Sequence, residues 1–333
     1  MTLGFIVGKF YPPHRGHKHL IDTARQQVDR LIVMIAHHPS QSIPGELRRA
    51  WLEEIHPDCE IHLVPDELED DSQQWAEFTV RYLGRAPDVV FTSEDYGSEY
   101  ARLMGARHVM VDHARAVVPV SGTLIRSAPL KHSNFLEPCV RAYFVCRVVL
   151  IGAESTGKTT LAQKLAERFE TTCVPEYGRE HWEKKVAGLS MNDPLPSWSH
   201  DEFVHIAAEQ QARENRLARE ANRVLICDTN AFATGTWHER YYHYRDARVD
   251  AIGAADKVDL YLLTAPDVAF VQDGFRDGEK IRDWMHVAFR MQLASGSTPW
   301  QLIAGSYDER FEAAEAAVEV LMQRHTHRKA PEH

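Results

Sequence analysis

Gly152-Ala153-Glu154-Ser155-Thr156-Gly157-Lys158-Thr159 follows the apolar run Cys146–Ile151 and opens a helical stretch, Lys158–Phe169. These eight residues fill every fixed position of the pattern G-x-x-x-x-G-K-[ST], between a strand and a helix as its mechanism requires. The backbone N–H groups of such a loop turn inward and the helix N-terminus adds positive potential, so the loop cradles a phosphate chain. Gly152 and Gly157 allow the tight turn without a Cβ collision. Ser155, Thr156 and Thr160 belong to the same nucleotide cradle. Lys158 would reach the outer phosphates, and the Thr159 hydroxyl would ligate Mg²⁺.

Outward from the loop, the site needs an acid at the end of a neighbouring strand. Asp228, ending Val224–Cys227, is read as a metal ligand and as the group that orients the attacking hydroxyl; capping of the following turn is the plain alternative. The stretch Gln272–Arg282 has two glycines and two arginines, Arg276 and Arg282. It reads as a lid that carries cations onto the phosphates, and a surface loop of solvated charges fits it equally. A polar helix about Asp201–Ala221, strands Asp259–Leu263 and Trp300–Ile303, and a C-terminal helix Asp308–Arg324 complete this half, with His325–His333 as tail. The chemistry expected of it is phosphoryl transfer by a kinase.

The first half repeats the alternation. Strand-like runs at Leu3–Val7, Leu31–Ala36, Glu60–Val64, Asp88–Thr92 and His108–Val111 enclose amphipathic stretches at His17–Asp29, Glu46–His56, Gln73–Leu83 and Ser98–Met104. Strands separated by helices in this way imply a parallel sheet. A polar, irregular stretch at Pro129–Pro138 marks the junction. Directly after the first strand stands Gly8-Lys9-Phe10-Tyr11-Pro12-Pro13-His14-Arg15-Gly16-His17. Gly8 and Gly16 let the backbone approach a ligand closely. Two imidazoles three residues apart at a helix start can donate hydrogen bonds to phosphoryl oxygens as pyrophosphate departs.

The whole chain sets the bounds. Its 333 residues are about twice a domain of roughly 150, so two units are expected. Apolar residues at 44% exclude a disordered or collagen-like chain, and no apolar run approaches the ~18 residues that span a bilayer. Nothing at the N-terminus resembles a secretory signal. Five widely spaced cysteines without a CxxC pair fit a reduced, cytoplasmic chain. The net charge of −10 argues against broad nucleic-acid binding. The acidic run Asp66–Asp71 reads as a solvated loop, Cys139 and Cys146 as packing residues, and His325-Thr-His327 as tail.

The string Gly8–His17 resembles the signature of HxGH nucleotidyltransferases, and Val120-Ser121-Gly122-Thr123-Leu124-Ile125-Arg126 is similar to their second motif. The resemblance implies catalytic roles for His14, His17 and Arg126, the arginine on the ATP phosphates, with Ser121 and Thr123 capping a helix onto them. It places Gly8, Lys9, Phe10 and Gly16 at the nucleotide. An HxGH transferase followed by a P-loop kinase resembles the NadR family over about residues 3–325. The implied fold is α/β, two doubly wound parallel-sheet domains: a Rossmann-like nucleotidyltransferase domain at 1–132, a linker at 133–144 and a P-loop kinase domain at 145–327. The family's N-terminal helix-turn-helix domain is expected to be absent.

The implied chemistry is phosphorylation of nicotinamide riboside to nicotinamide mononucleotide, then adenylylation of that product to NAD, with ATP as co-substrate and Mg²⁺ as cofactor. Glu94 and Tyr96 would contact substrate in the first half, and Glu176, Tyr177 and Arg179 in the second. Trp51 and Trp237, the latter with Tyr241 or Tyr242, are candidates to stack on a pyridinium ring. Either Asp228 or Glu176 would be the kinase base. The partners are small molecules, with no nucleic acid or membrane expected, and the sequence leaves a homo-oligomer open. Alternatives are a bifunctional coenzyme A synthase, which joins the same two folds, and a nucleotide-sensing regulator.

Overall fold

Strands buried on both faces read as continuous apolar runs, and covering those faces with the intervening helices gives a parallel sheet. The computed structural model, which describes residues 1–68, 71–189, 193–271 and 279–326, shows this twice, in units Met1–Tyr143 and Phe144–His325.

The first unit runs β1 (Leu3–Gly8), α1 (Arg15–Arg25), β2 (Arg30–His37), α2 (Gly45–Ile55), β3 (Glu60–Pro65), α3 (Ser72–Leu83), β4 (Val89–Thr92), α4 (Gly97–Leu103), β5 (Arg107–Met110), α5 (Gly122–Ser127) and α6 (Pro138–Phe144). Its five parallel strands lie in the order β3-β2-β1-β4-β5. One face packs Ile6, Val33 and Phe91 under Leu20, Ile21 and Leu52. The other packs Phe5, Met34 and Val90 under Ala76, Tyr100 and Met104. Helices therefore cover both faces, as doubly wound sheets require. The strand order reverses between β1 and β4, which opens a crevice beyond their carboxyl ends. The Gly8–His17 string leaves β1 at that crevice.

The second unit runs β6 (Cys146–Ile151), α7 (Lys158–Arg168), β7 (Cys173–Val174), α8 (Tyr177–Val186), α9 (His200–Leu217), β8 (Val224–Asp228), α10 (Ala231–Tyr242), α11 (Ala247–Ala254), β9 (Leu260–Thr264), α12 (Arg282–Ser295), β10 (Trp300–Ile303) and α13 (Tyr307–Thr326). The order is β10-β9-β6-β8-β7, again all parallel. Leu150 pairs with Asp228, so the phosphate loop and the strand-end acid emerge side by side at the reversal between β6 and β8.

The sequence pattern misses several helices. α10 buries Ala231, Ala233, Thr234, Gly235, Thr236 and His238, residues that leave no apolar period to read. Residues 138–144, assigned to the linker, form α6 with Cys139 and Val140 buried. His325, assigned to the tail, still lies in α13 and faces Asp259 at 3.3 Å.

Candidate active sites

In the first unit a cavity of about 790 Å³ lies over the β1–β4 crevice, walled by Gly8, Lys9, Phe10, His14, Gly16 and His17 from the string. His14 caps α1. Its Nδ1 accepts the His17 backbone N–H at 3.3 Å, and His17 Nδ1 accepts that of His14 at the same distance. The rings stack with centroids 3.7 Å apart. An accepting Nδ1 leaves the proton of a neutral imidazole on Nε2. Burial, reinforced by the charge of Arg115, lowers His14 to about 4. Burial, then His14 and Arg115, holds His17 well below its ordinary value. Both rings are therefore neutral Nε2–H donors near pH 7. A Cβ on Gly16 would come within 3.1 Å of the His14 ring, so a larger residue would press on that imidazole.

The second motif departs from expectation. Ser121 caps α5 by accepting the Leu124 N–H at 3.1 Å, and it lines the cavity. Thr123 and Arg126 stand outside the cavity wall. Arg126 donates to the Tyr11 carbonyl and to Thr123 Oγ1 at 3.2 Å, and its guanidinium lies 4.6 Å above the Tyr11 ring. Arg115 takes a place on the wall and donates to Glu94 Oε1 at 3.1 Å. Lys9 pairs with Asp66 at 3.2 Å, and Phe10 packs its ring 4.9 Å from that of His17.

Trp51 does not reach this cavity. It is 6% exposed, packed edge-on against Tyr143 at 5.5 Å, because its position on α2 faces the core. Trp75, Tyr96 and Tyr100 supply the aromatic wall instead. Sequence reasoning also missed Arg48, which is fully buried and donates to the Lys9 carbonyl and to Gln41 Oε1 at 2.7 Å. It shares the buried stripe of α2 with Trp51 and Leu52, at i, i+3 and i+4, and a charge in such a stripe was the available signal.

In the second unit a cavity of about 560 Å³ is walled by Ser155, Thr156, Gly157, Lys158, Thr159 and Thr160 of the phosphate loop. Gly152 has φ +150°, and a Cβ there would meet Thr264 Oγ1 at 2.4 Å. Gly157 adopts φ +82° at the start of α7. Lys158 folds over the loop, donating to the carbonyls of Gly152 at 3.1 Å and Ala153 at 2.8 Å. Thr159 Oγ1 donates to Asp228 Oδ2 at 2.6 Å. Asp228 is 2% exposed, and its Oδ1 is buried with no hydrogen-bond partner among the described residues. A hydroxyl and a buried carboxylate with one oxygen unmatched suit a hard cation such as Mg²⁺. Glu176 stands before α8 on the same wall. Burial, then the charge of Asp228, raises its carboxyl to about 7.

Six aromatic side chains stand on the rest of the wall. Trp237, Tyr241 and Tyr242 from α10 face Phe203, Trp198 and Trp182, the last two stacked at 4.8 Å. Arg179 also lines the cavity. Tyr177 does not; it is buried, its N–H donates to Gln210 at 2.9 Å and its hydroxyl pairs with His205 at 3.0 Å. Arg282 lies behind the loop rather than over it, donating to the carbonyls of Ser155 at 3.2 Å and Val268 at 3.0 Å. Arg276 and the rest of 272–278 lie outside the described residues. Arg310 of α13 was missed. It is 3% exposed and donates to the carbonyls of Thr156 at 2.8 Å, Gly305 at 2.9 Å and Ala265 at 3.0 Å, and to Asp267.

Comparison with known proteins follows the same division. Residues 5–128 match the family described as cytidylyltransferase-like, and residues 147–310 match the family described as AAA domain. The trifunctional NAD biosynthesis/regulator protein NadR of Escherichia coli strain K12 is 28% identical over 300 residues, covering 83% of this chain and 72% of the relative. Its namesake from Salmonella typhimurium strain LT2 is 28% identical over 298 residues, with the same coverage of 83% and 72%. Two solved structures share the fold. A NadR protein in complex with NR has a TM-score of 0.79 and 21% identity, over 97% of this chain and 96% of that one. A NadR protein in complex with NAD and AMP-PNP has a TM-score of 0.76 and 20% identity, over the same 97% and 96%.

Proposed function

We propose that this chain, which belongs to the NadR family, is a bifunctional enzyme that phosphorylates nicotinamide riboside to nicotinamide mononucleotide and adenylylates that product to NAD. The observation that carries the reading is that each sheet, at its own point of strand reversal, presents phosphate-handling groups on a cavity wall: the neutral His14–His17 pair in one, Lys158 and Asp228 in the other. The NR, NAD and AMP-PNP held by the two NadR structures support ATP and nicotinamide nucleotides as ligands. The sites are assigned to residues 1–132 and 145–327, joined by 133–144.

In the kinase step the 5′-hydroxyl oxygen of the riboside attacks the γ-phosphorus of ATP, the bond to the β,γ-bridging oxygen breaks, and ADP leaves. Lys158 and the loop amides hold the phosphates in line. Asp228 and Thr159 would hold Mg²⁺, which offsets phosphate charge when bound. With Asp228 so occupied, Glu176 is the proton acceptor for the hydroxyl. The aromatic wall of Trp237, Tyr241, Tyr242, Trp198 and Trp182 suits a flat cationic ring. In the adenylyl step a phosphate oxygen of the mononucleotide attacks the α-phosphorus of ATP, and pyrophosphate departs with the electron pair. The Nε2–H groups of His14 and His17 donate to the phosphoryl oxygens as that charge builds.

A cytoplasmic location fits five cysteines of which none is in a disulfide, and among the described residues no helix is long and apolar enough to cross a membrane. The deciding experiment supplies ATP with either nicotinamide riboside or dephospho-coenzyme A and follows products by mass spectrometry. Nicotinamide mononucleotide and NAD are expected; phosphorylation of dephospho-coenzyme A alone would overturn the reading. Lys158→Ala should lower the kinase step by about 10²–10³-fold and spare adenylylation of supplied mononucleotide.

A further inference from the structure

Among the described residues, the wall of the first unit's cavity carries two side chains with a permanent positive charge, Lys9 and Arg115. Arg126, the arginine that the second motif singles out, is turned away onto the Tyr11 carbonyl, Thr123 and the Tyr11 ring. Arg115 is presented by a built turn. Asp112 accepts the backbone N–H groups of Ala116 at 2.8 Å, Val117 at 3.0 Å and Val118 at 3.0 Å, while Arg115 itself adopts φ +51°, a left-handed conformation that costs a non-glycine residue energy. The carboxylate that receives its guanidinium, Glu94, is on the same wall. That pair is about half exposed on both sides, at 44% and 57%, so it is weak and exchangeable. The charge of Arg115 also reaches both histidines, where it helps keep the rings neutral.

We propose that Arg115 is a catalytic residue of the adenylyl-transfer step, its guanidinium leaving Glu94 to hold the β- and γ-phosphate oxygens of ATP. This rests on reading the first unit as an adenylyltransferase. As the mononucleotide oxygen bonds to the α-phosphorus, the bond from that phosphorus to the α,β-bridging oxygen breaks and the electron pair goes to pyrophosphate. A planar, always-charged fork meets that growing charge with two parallel hydrogen bonds. Glu94 holds the side chain over the cavity between turnovers.

The test uses the full chain with Arg115→Ala, Arg115→Lys and Glu94→Gln. It measures NAD formation from mononucleotide and ATP, the reverse reaction of NAD with pyrophosphate, and riboside phosphorylation as a report on folding. Arg115→Ala should lower adenylyl-transfer kcat by about 100-fold or more and raise the KM for pyrophosphate by about tenfold, with riboside phosphorylation intact. Arg115→Lys should recover part of kcat, and Glu94→Gln, which frees the guanidinium, should lower the KM for pyrophosphate. Wild-type activity with an Arg115→Ala kcat within about threefold overturns the assignment alone. If Arg115→Ala loses both reactions through misfolding, Arg115→Lys decides, and an unchanged KM for pyrophosphate there also overturns it. A wild-type chain that forms no NAD from mononucleotide overturns the reading of the unit itself.

Discussion

Glu176 and the His14–His17 pair titrate in opposite directions for one reason, since burial penalises whichever form is charged. The Glu176 carboxyl, raised to about 7, keeps its proton in acid and can accept one only above that value. Riboside phosphorylation should therefore fall as pH drops and Glu176 takes up its proton, and level off on the alkaline side. Glu176→Gln should remove this limb and lower kcat by about 10²-fold or more. The imidazoles are shifted the other way, His14 to about 4, so they stay neutral through the range where an exposed histidine titrates. Adenylylation should accordingly show no inflection near pH 6.5 from these groups, and pH–rate profiles of both reactions on one preparation check the pair of expectations.

At the scale of elements, the phosphate loop is shaped from behind as much as by its own glycines. Arg310 on α13 and Arg282 on α12 donate to the carbonyls of Thr156 and Ser155. Removing Arg310 strands the buried carbonyls of Thr156 and Ala265 and takes from Asp267 its arginine partner. Arg310→Ala should cost about 3–5 kcal/mol of stability in the second unit, read by chemical denaturation, and abolish the kinase step while NAD formation from mononucleotide persists. The loop itself was legible because its glycines and lysine act through local backbone geometry. Its supports were not, because α13 and α12 begin 150 and 125 residues after Gly157. Both missed arginines stand in the buried stripes of their helices: Arg48 with Trp51 and Leu52, Arg310 with Ala314 and Val318. A charge at a stripe position is a signal that a buried partner awaits it. Trp51 was misplaced for the converse reason, since an aromatic side chain in a stripe serves the core before it serves a ligand.

For the whole molecule, two sites that act in sequence through a free mononucleotide should complement one another between chains. A Lys158→Ala chain should form NAD from mononucleotide but not from riboside. A His17→Ala chain should phosphorylate riboside and accumulate mononucleotide. Mixing the two should restore NAD from riboside, followed by chromatography; no restoration would show that the intermediate never leaves the chain. The sequence by itself determined that there are two parallel α/β sheets and where the strand–loop–helix signature of each half lies. Strand–loop–helix signatures are written in contiguous residues, and their function follows from local backbone geometry. Tertiary structure alone decided that Arg115 stands on the first cavity's wall and Arg126 outside it, and that Trp75 and Tyr100 rather than Trp51 join Tyr96 there. It also decided that the Glu176 carboxyl is raised to about 7. Those outcomes depend on burial and on charges brought together from distant strands, and a side chain's direction and dielectric surroundings are set only when the sheet has closed around it.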